Sequence, residues 1–103
     1  MNYQLFIDDE RFPATNGWVI VRSYKSAIDW IERYGFPYFI SFDHDLGLDS
    51  LTGYDIAKWI VEYDLDHDVM DEYFQFYVHS MNPIGKINIE KLLNSYLDKK
   101  FQK

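Results

Sequence analysis

Leu5-Phe6-Ile7-Asp8-Asp9-Glu10-Arg11 is a short apolar run that breaks abruptly into charge. The pattern returns twice. Phe39-Ile40-Ser41-Phe42 leads into Asp43-His44-Asp45, and Phe74-Gln75-Phe76-Tyr77-Val78 leads into His79-Ser80-Met81-Asn82. Read as parallel strands, the runs deliver all these polar clusters to one edge of one sheet. In open α/β sheets that carboxyl edge is where ligands bind. Carboxylates and histidines gathered there point to metal-assisted or acid–base chemistry.

Working outward, Tyr3 to Ile7 reads as a buried strand and Pro13 to Gly17 as a loop. Trp18 to Val21 reads as a second strand, rich in β-branched residues. A helix is expected from Tyr24 to Tyr34, with Ala27, Ile31 and Tyr34 on one face. Gly35 ends it and Pro37 prevents its continuation. Tyr38 to Phe42 is the third strand, followed by a loop from Leu46 to Leu51. Thr52-Gly53-Tyr54-Asp55 has the form of a capping box. Its helix is expected to reach about Tyr63, with Ile56, Trp59, Ile60 and Tyr63 buried. Asp64 to Glu72 reads as an acidic loop and Tyr73 to Val78 as the fourth strand. The last helix starts either at Asn82-Pro83, a cap followed by proline, or at Asn88, because Gly85 weakens the first turn. Strands separated by helices imply right-handed crossovers and a parallel sheet. The first pair is the exception. Its connection, Phe12 to Gly17, is short for a parallel link, so it hides a tight turn or those strands pair differently.

A chain of 103 residues suits one domain, spanning 1–103. Hydrophobic content of 48% and aromatic content of 19% argue against disorder. The absence of cysteine excludes disulfides and thiolate metal sites. It fits a reducing compartment, and a cytoplasmic location is expected. Met1-Asn2-Tyr3-Gln4 does not read as a signal peptide, and no apolar run approaches the ~20 residues of a membrane span. Ten basic against seventeen acidic residues give a net charge of −7. That disfavours duplex DNA and anionic membranes. It leaves a phosphate substrate open, because a cation held by carboxylates reverses the local sign. The abundance of Ile, Asn, Lys, Tyr, Phe and Asp suits an AT-rich genome such as a phage's. Oligomeric state is not legible.

Adjacent acids after a buried strand repel each other, and turn formation does not require them. Asp8-Asp9-Glu10 therefore reads as a magnesium or manganese site, since hard cations take oxygen donors, in preference to the alternative of a solvated loop in which Asp9 or Glu10 caps a turn. Asp43 is placed to share that cation. Arg11 pairs with these acids or contacts a phosphate. Strand alternation sends His44 to the opposite side, and Asp45 reads as a supporting acid. His79 titrates near neutrality when unperturbed and suits proton transfer. Ser80 and Asn82 beside a helix start offer anion contacts. Asp64-Leu65-Asp66-His67-Asp68 imitates a calcium loop, but Val69 and Gln75 stand where an EF-hand needs glycine and glutamate. It is expected to be a solvated loop.

Phe6-Ile7-Asp8-Asp9-Glu10 resembles the first-strand acidic motif of the response-regulator receiver domain, whose acid pair binds magnesium. Asp43 matches its phosphoacceptor, and His79 or Ser80 stands where it has threonine or serine. The receiver's first helix has no counterpart here. Neither does its lysine after a fifth strand, and Lys86 lies in the wrong context. The closer resemblance is to the cyclic-phosphate processing receiver domains. DDER at Asp8 to Arg11, FDHDLG at Phe42 to Gly47, TGYD at Thr52 to Asp55 and VHSMNPIG at Val78 to Gly85 carry it across nearly the whole chain.

The resemblance implies a receiver-like fold and chemistry on a cyclic phosphate. The expectation is a three-layer, flavodoxin-like α/β domain with about four parallel strands in order 2-1-3-4 and helices on both faces. Its leading function is metal-assisted hydrolysis of a cyclic nucleotide, an oligonucleotide signal or an RNA 2′,3′-cyclic phosphate end. A viral owner would use it against host defence. Asp8, Asp9 and Asp43 would hold Mg2+ or Mn2+. His79 would be the general acid or base, with Asp43 and His44 as further catalytic candidates. Arg11, Ser80, Asn82 and Asp45 would contact substrate. A sequestering module and a phospho-accepting receiver are the alternatives, and the missing lysine counts against the second.

Overall fold

The computed structural model describes residues 3–48 and 50–102. The elements run β1 (Gln4–Ile7), β2 (Trp18–Val21), α1 (Tyr24–Tyr34), β3 (Phe39–Phe42), α2 (Gly53–His67), β4 (Gln75–Val78) and α3 (Pro83–Phe101). The strands form one sheet in the order β2-β1-β3-β4, and every pairing is parallel. This is the receiver-like α/β sheet expected from the sequence.

The first connection settles as a parallel link without a helix. Gln4 registers with Trp18 and Ile7 with Val21. Each strand is four residues long, so the return path is only about 13 Å, and the intervening residues 8–17 cover it easily. Arg22 pins this connection: its Nη1 donates to the carbonyls of Asp8 at 3.0 Å and Arg11 at 2.6 Å. Trp18 Nε1 donates to Thr15 Oγ1 at 3.0 Å.

The layering departs from the expectation of helices on both faces. Leu5, Ile7, Val21, Ile40, Phe42 and Val78 point to one side and share a single core with Ala27 and Ile31 of α1, Ile56 and Ile60 of α2, and Ile89 and Leu93 of α3. The alternate residues Gln4, Trp18, Ile20 and Phe39 are half-buried, and Gln75 and Tyr77 are exposed. The cause is topological. β2-α1-β3 and β3-α2-β4 step across the sheet in the same direction, and right-handed crossovers then place both helices on one face. A helix between β1 and β2 would step the other way and cover the second face. Among the described residues that helix is missing.

The helix ends are set by local chemistry. Thr52 Oγ1 accepts from the Asp55 amide and Asp55 Oδ2 from the Thr52 amide at 2.7 Å, which completes the capping box of α2. Asn82 Oδ1 accepts from the Gly85 amide at 2.9 Å with Pro83 behind it, so α3 starts there and not at Asn88. The segment expected to be an acidic loop differs. α2 continues to His67, and Asp64 lies 2% exposed inside the fold. Its Oδ1 accepts from the amides of Val69 and Met70 at 2.8 and 2.7 Å. Its Oδ2 accepts from Tyr96 Oη at 2.6 Å and Lys100 Nζ at 2.7 Å. The carboxylate thus ties the end of α2 to the end of α3. No helix among the described residues is long and apolar enough to cross a membrane.

Candidate active site

Ile7, Phe42 and Val78 are register partners on neighbouring strands. The next residue on each strand is Asp8, Asp43 or His79. The ladder continues through them: the Asp43 amide donates to Ile7 O and the His79 amide to Phe42 O, each at 2.9 Å. Three chemically active side chains therefore emerge side by side at the carboxyl edge. Asp8 is fully buried and Asp43 nearly so. One ligand atom from each of Asp8, Asp43 and His79 lies within 4.8 Å of the others.

Arg11 bridges the acids. Its Nε donates to Asp8 Oδ2 at 2.8 Å, and its Nη2 lies 3.4 Å from Asp43 Oδ2. Asp8 Oδ1 accepts from the amides of Glu10 at 3.0 Å and Arg11 at 2.8 Å. Burial alone would push the Asp8 carboxyl up, but these amides, His79 and the Arg11 charge together hold it below the usual carboxylate range.

His79 is held at one ring face and at both ring nitrogens. Its ring lies flat on Phe6, with centroids 4.4 Å apart and planes at 2°. Nε2 is 3.0 Å from Asp8 Oδ2, and Nδ1 is 2.7 Å from Ser41 Oγ. Burial lowers its pKa and outweighs the opposing pull of Asp8 and Asp43. The ring is therefore neutral at neutral pH, and its contact with Asp8 is a hydrogen bond.

His44 faces the helix side, as alternation predicts. Its ring packs against Gly85 at the start of α3, so closely that a Cβ there would overlap it. His44 Nδ1 is 2.8 Å from Asp45 Oδ1, and Asn82 Nδ2 donates to both Asp45 oxygens at 3.3 Å. The hydrogen bond from His44, helped by Asn82, holds the Asp45 carboxyl below its ordinary range. Asp9 is exposed and stands outside the convergent group. It lines an adjacent cleft of about 580 Å³ with Glu10, Arg11, Asp43, Asp45, Gly47, Leu48, Ser80 and Met81.

The donor set, two buried carboxylates and an imidazole, could hold a metal ion. Two residues here carry a role that the sequence reading did not assign. Ser41 shows only as a hydroxyl inside an apolar strand, where it demands a partner. Gly85 is a contact glycine, visible only once His44 is placed.

A parallel 2-1-3-4 sheet with buried acids at the ends of β1 and β3 defines a receiver-like domain, here with a histidine on the third neighbouring strand. The sequence model of the cyclic-phosphate processing receiver domain matches residues 3–95, and the chain belongs to that family. No curated protein and no solved structure matches the chain significantly.

Proposed function

We propose that this domain hydrolyses a cyclic phosphodiester carried by a nucleotide, with Mn2+ or Mg2+ held by Asp8, Asp43 and His79. The observation that carries the reading is the convergence of those side chains within 4.8 Å, with Asp43 also lining an adjacent cleft large enough for a nucleotide. A divalent cation held there would supply Lewis-acid charge to offset the phosphoryl anion. Arg11 reorients from the acids to the phosphoryl oxygens, joined by Ser80. Asp45, held by His44 and Asn82, accepts from a ribose hydroxyl. Water adds to phosphorus and gives up one proton to the solvent in the open cleft, one ring P–O bond breaks, and the leaving oxygen takes a proton back from that solvent, leaving a phosphomonoester and a free hydroxyl. Leu48 and Met81 stand 97% and 85% exposed on the rim. They offer the apolar surface that a nucleobase covers, which favours nucleotides over bare sugar phosphates.

The test is incubation with 2′,3′- and 3′,5′-cyclic mononucleotides, cyclic di- and trinucleotides and cyclic-phosphate-ended RNA in Mn2+ or Mg2+, with products resolved by chromatography. Ring-opened product that disappears in Asp43→Asn is expected. Tight binding without turnover would instead make the domain a sequestering module. Neither binding nor turnover across the set would overturn the reading.

A further inference from the structure

Ser41 lies in the middle of β3 between Ile40 and Phe42, and only 5% of it reaches solvent. A hydroxyl buried there is costly unless it is hydrogen-bonded. Its Oγ meets His79 Nδ1 at 2.7 Å, on the ring edge away from Asp8. We propose that Ser41 is the positioning residue for His79, orienting it through a hydroxyl that can serve either tautomer of the ring. The reason lies in the two partners. Nε2 faces an Asp8 carboxylate oxygen at 3.0 Å, and an ionised carboxylate can only accept, so a neutral ring in this geometry carries its proton on Nε2. Nδ1 is then bare, and Ser41 donates to it. When Nε2 must present its lone pair to a cation, the proton moves to Nδ1 through solvent, and Ser41 turns to accept it. A carboxylate or carbonyl in its place would lock the proton on Nδ1, the usual arrangement behind a metal-bound histidine. A hydroxyl can partner Nδ1 in either state, so His79 would exchange its Asp8 hydrogen bond for the cation while keeping the one to Ser41. Phe6 keeps the ring plane fixed while the proton moves.

The cation half of this inference rests on the function proposed above, and the experiment separates the two. In metal-free protein, long-range 1H–15N spectra should place the ring proton on Nε2, with Nδ1 resonating as a hydrogen-bond acceptor. In Ser41→Ala the tautomer should stay, because Asp8 still accepts, while the Nδ1 resonance moves to that of a free ring nitrogen. Ser41→Thr, which keeps the hydroxyl, should restore it. An Nδ1 resonance unmoved by Ser41→Ala overturns the proposal. With Zn2+ as a diamagnetic probe, the wild-type proton should move to Nδ1. Ser41→Ala should bind Zn2+ roughly 10–100-fold more weakly, the scale for losing a ligand's outer partner, and Ser41→Thr should recover that affinity. Equal Zn2+ affinity in wild type and Ser41→Ala also overturns it. A wild type that takes up no Zn2+ sinks the cation reading alone, and the metal-free spectra then decide whether Ser41 positions His79. If Ser41→Ala does not fold, Ser41→Cys, a near-isostere with a weak donor, carries both comparisons.

Discussion

Four donors converge on the buried Asp8 carboxylate: the amides of Glu10 and Arg11, Arg11 Nε and His79 Nε2. Such a carboxylate stays ionised at neutral pH despite its burial, and it is ready to hold a cation. Asp9, its neighbour in the chain, has none of this support. The difference makes a sharp prediction. Asp43→Asn or Asp8→Asn should weaken Mn2+ binding by at least about a hundredfold, beyond the ~10–100-fold cost of losing only a ligand's outer partner. Asp9→Asn should stay within about twofold. Calorimetry decides it, and an Asp9→Asn protein as impaired as Asp43→Asn would return Asp9 to the cation. His79→Ala belongs with Asp43→Asn if the ring is a ligand. Were it solely an acid–base group, turnover would fall with Mn2+ affinity intact. Adjacent acids read naturally as a pair in the sequence, yet alternation along the strand axis separates them. Asp8 and Asp43 were legible because each ends an apolar run. The partnership of His79 with them, in contrast, depends on the register of β3 and β4, which no local pattern states.

At the scale of elements, two glycines join the helices to the site. The Gly53 amide donates to His44 O at 2.8 Å, and a Cβ at Gly53 would overlap the Asp43 carbonyl oxygen. A Cβ at Gly85 would overlap the His44 ring. Both lie in helical first turns, where propensity alone would make alanine better than glycine by about 1 kcal/mol. Contact reverses the sign. Gly53→Ala should lose about 3 kcal/mol in urea unfolding, the upper end of ordinary overpacking, because backbone must move. Gly85→Ala should lose about 1–3 kcal/mol and also move the His44 ring resonances. A stabilised Gly85→Ala would mean that His44 does not pack there. Capping signals made the helix starts legible, since Thr52 and Asp55 act within four residues of each other. The far end of α2 was not legible. Asp64 sits in a run of acids that reads as solvated, and its partners Tyr96 and Lys100 come from α3, more than thirty residues later. Burial pushes this carboxyl up, but Lys100, the Met70 amide and Tyr96 outweigh it and hold it below the ordinary value. A depressed carboxyl stabilises the fold above its unfolded pKa of about 4 and ceases to do so as pH falls through the folded value. Asp64→Asn should therefore cost about 3 kcal/mol near pH 7, the low end for breaking a buried pair, since Lys100 keeps Met70 O and Asp68. The gap from wild type should close as the pH drops below 4. A gap that persists in acid would assign the loss to packing.

Over the whole molecule, one sheet face carries all the helices and the other carries the site. Asp8, Asp43 and His79 follow the parity of the uncovered face, and Phe6 and Ser41 beneath them complete it. The missing first helix was legible in the sequence, but its consequence was not, because which face a helix takes depends on the direction of each crossover. In this open arrangement Arg11 neutralises the two acids from the solvent side, with its own side chain 44% exposed. On the proposed cation site, the same guanidinium would have to leave the acids and so would compete with the metal. Removing it should separate these effects. Metal-free Arg11→Ala should lose about 1 kcal/mol, a modest cost because the pair is partly in water. It should nevertheless bind Mn2+ more tightly than wild type, since nothing has to be displaced. A ligand at a hundred times its Kd stabilises a fold by about 2.7 kcal/mol, so at one fixed Mn2+ concentration the gain in Tm should be larger for Arg11→Ala than for wild type. Turnover should move the opposite way, because the phosphoryl oxygens lose their guanidinium. Thermal melts with and without Mn2+ on the two proteins give the comparison. An Arg11→Ala protein that gains less from Mn2+ than wild type would show that Arg11 supports the bound cation and does not compete with it.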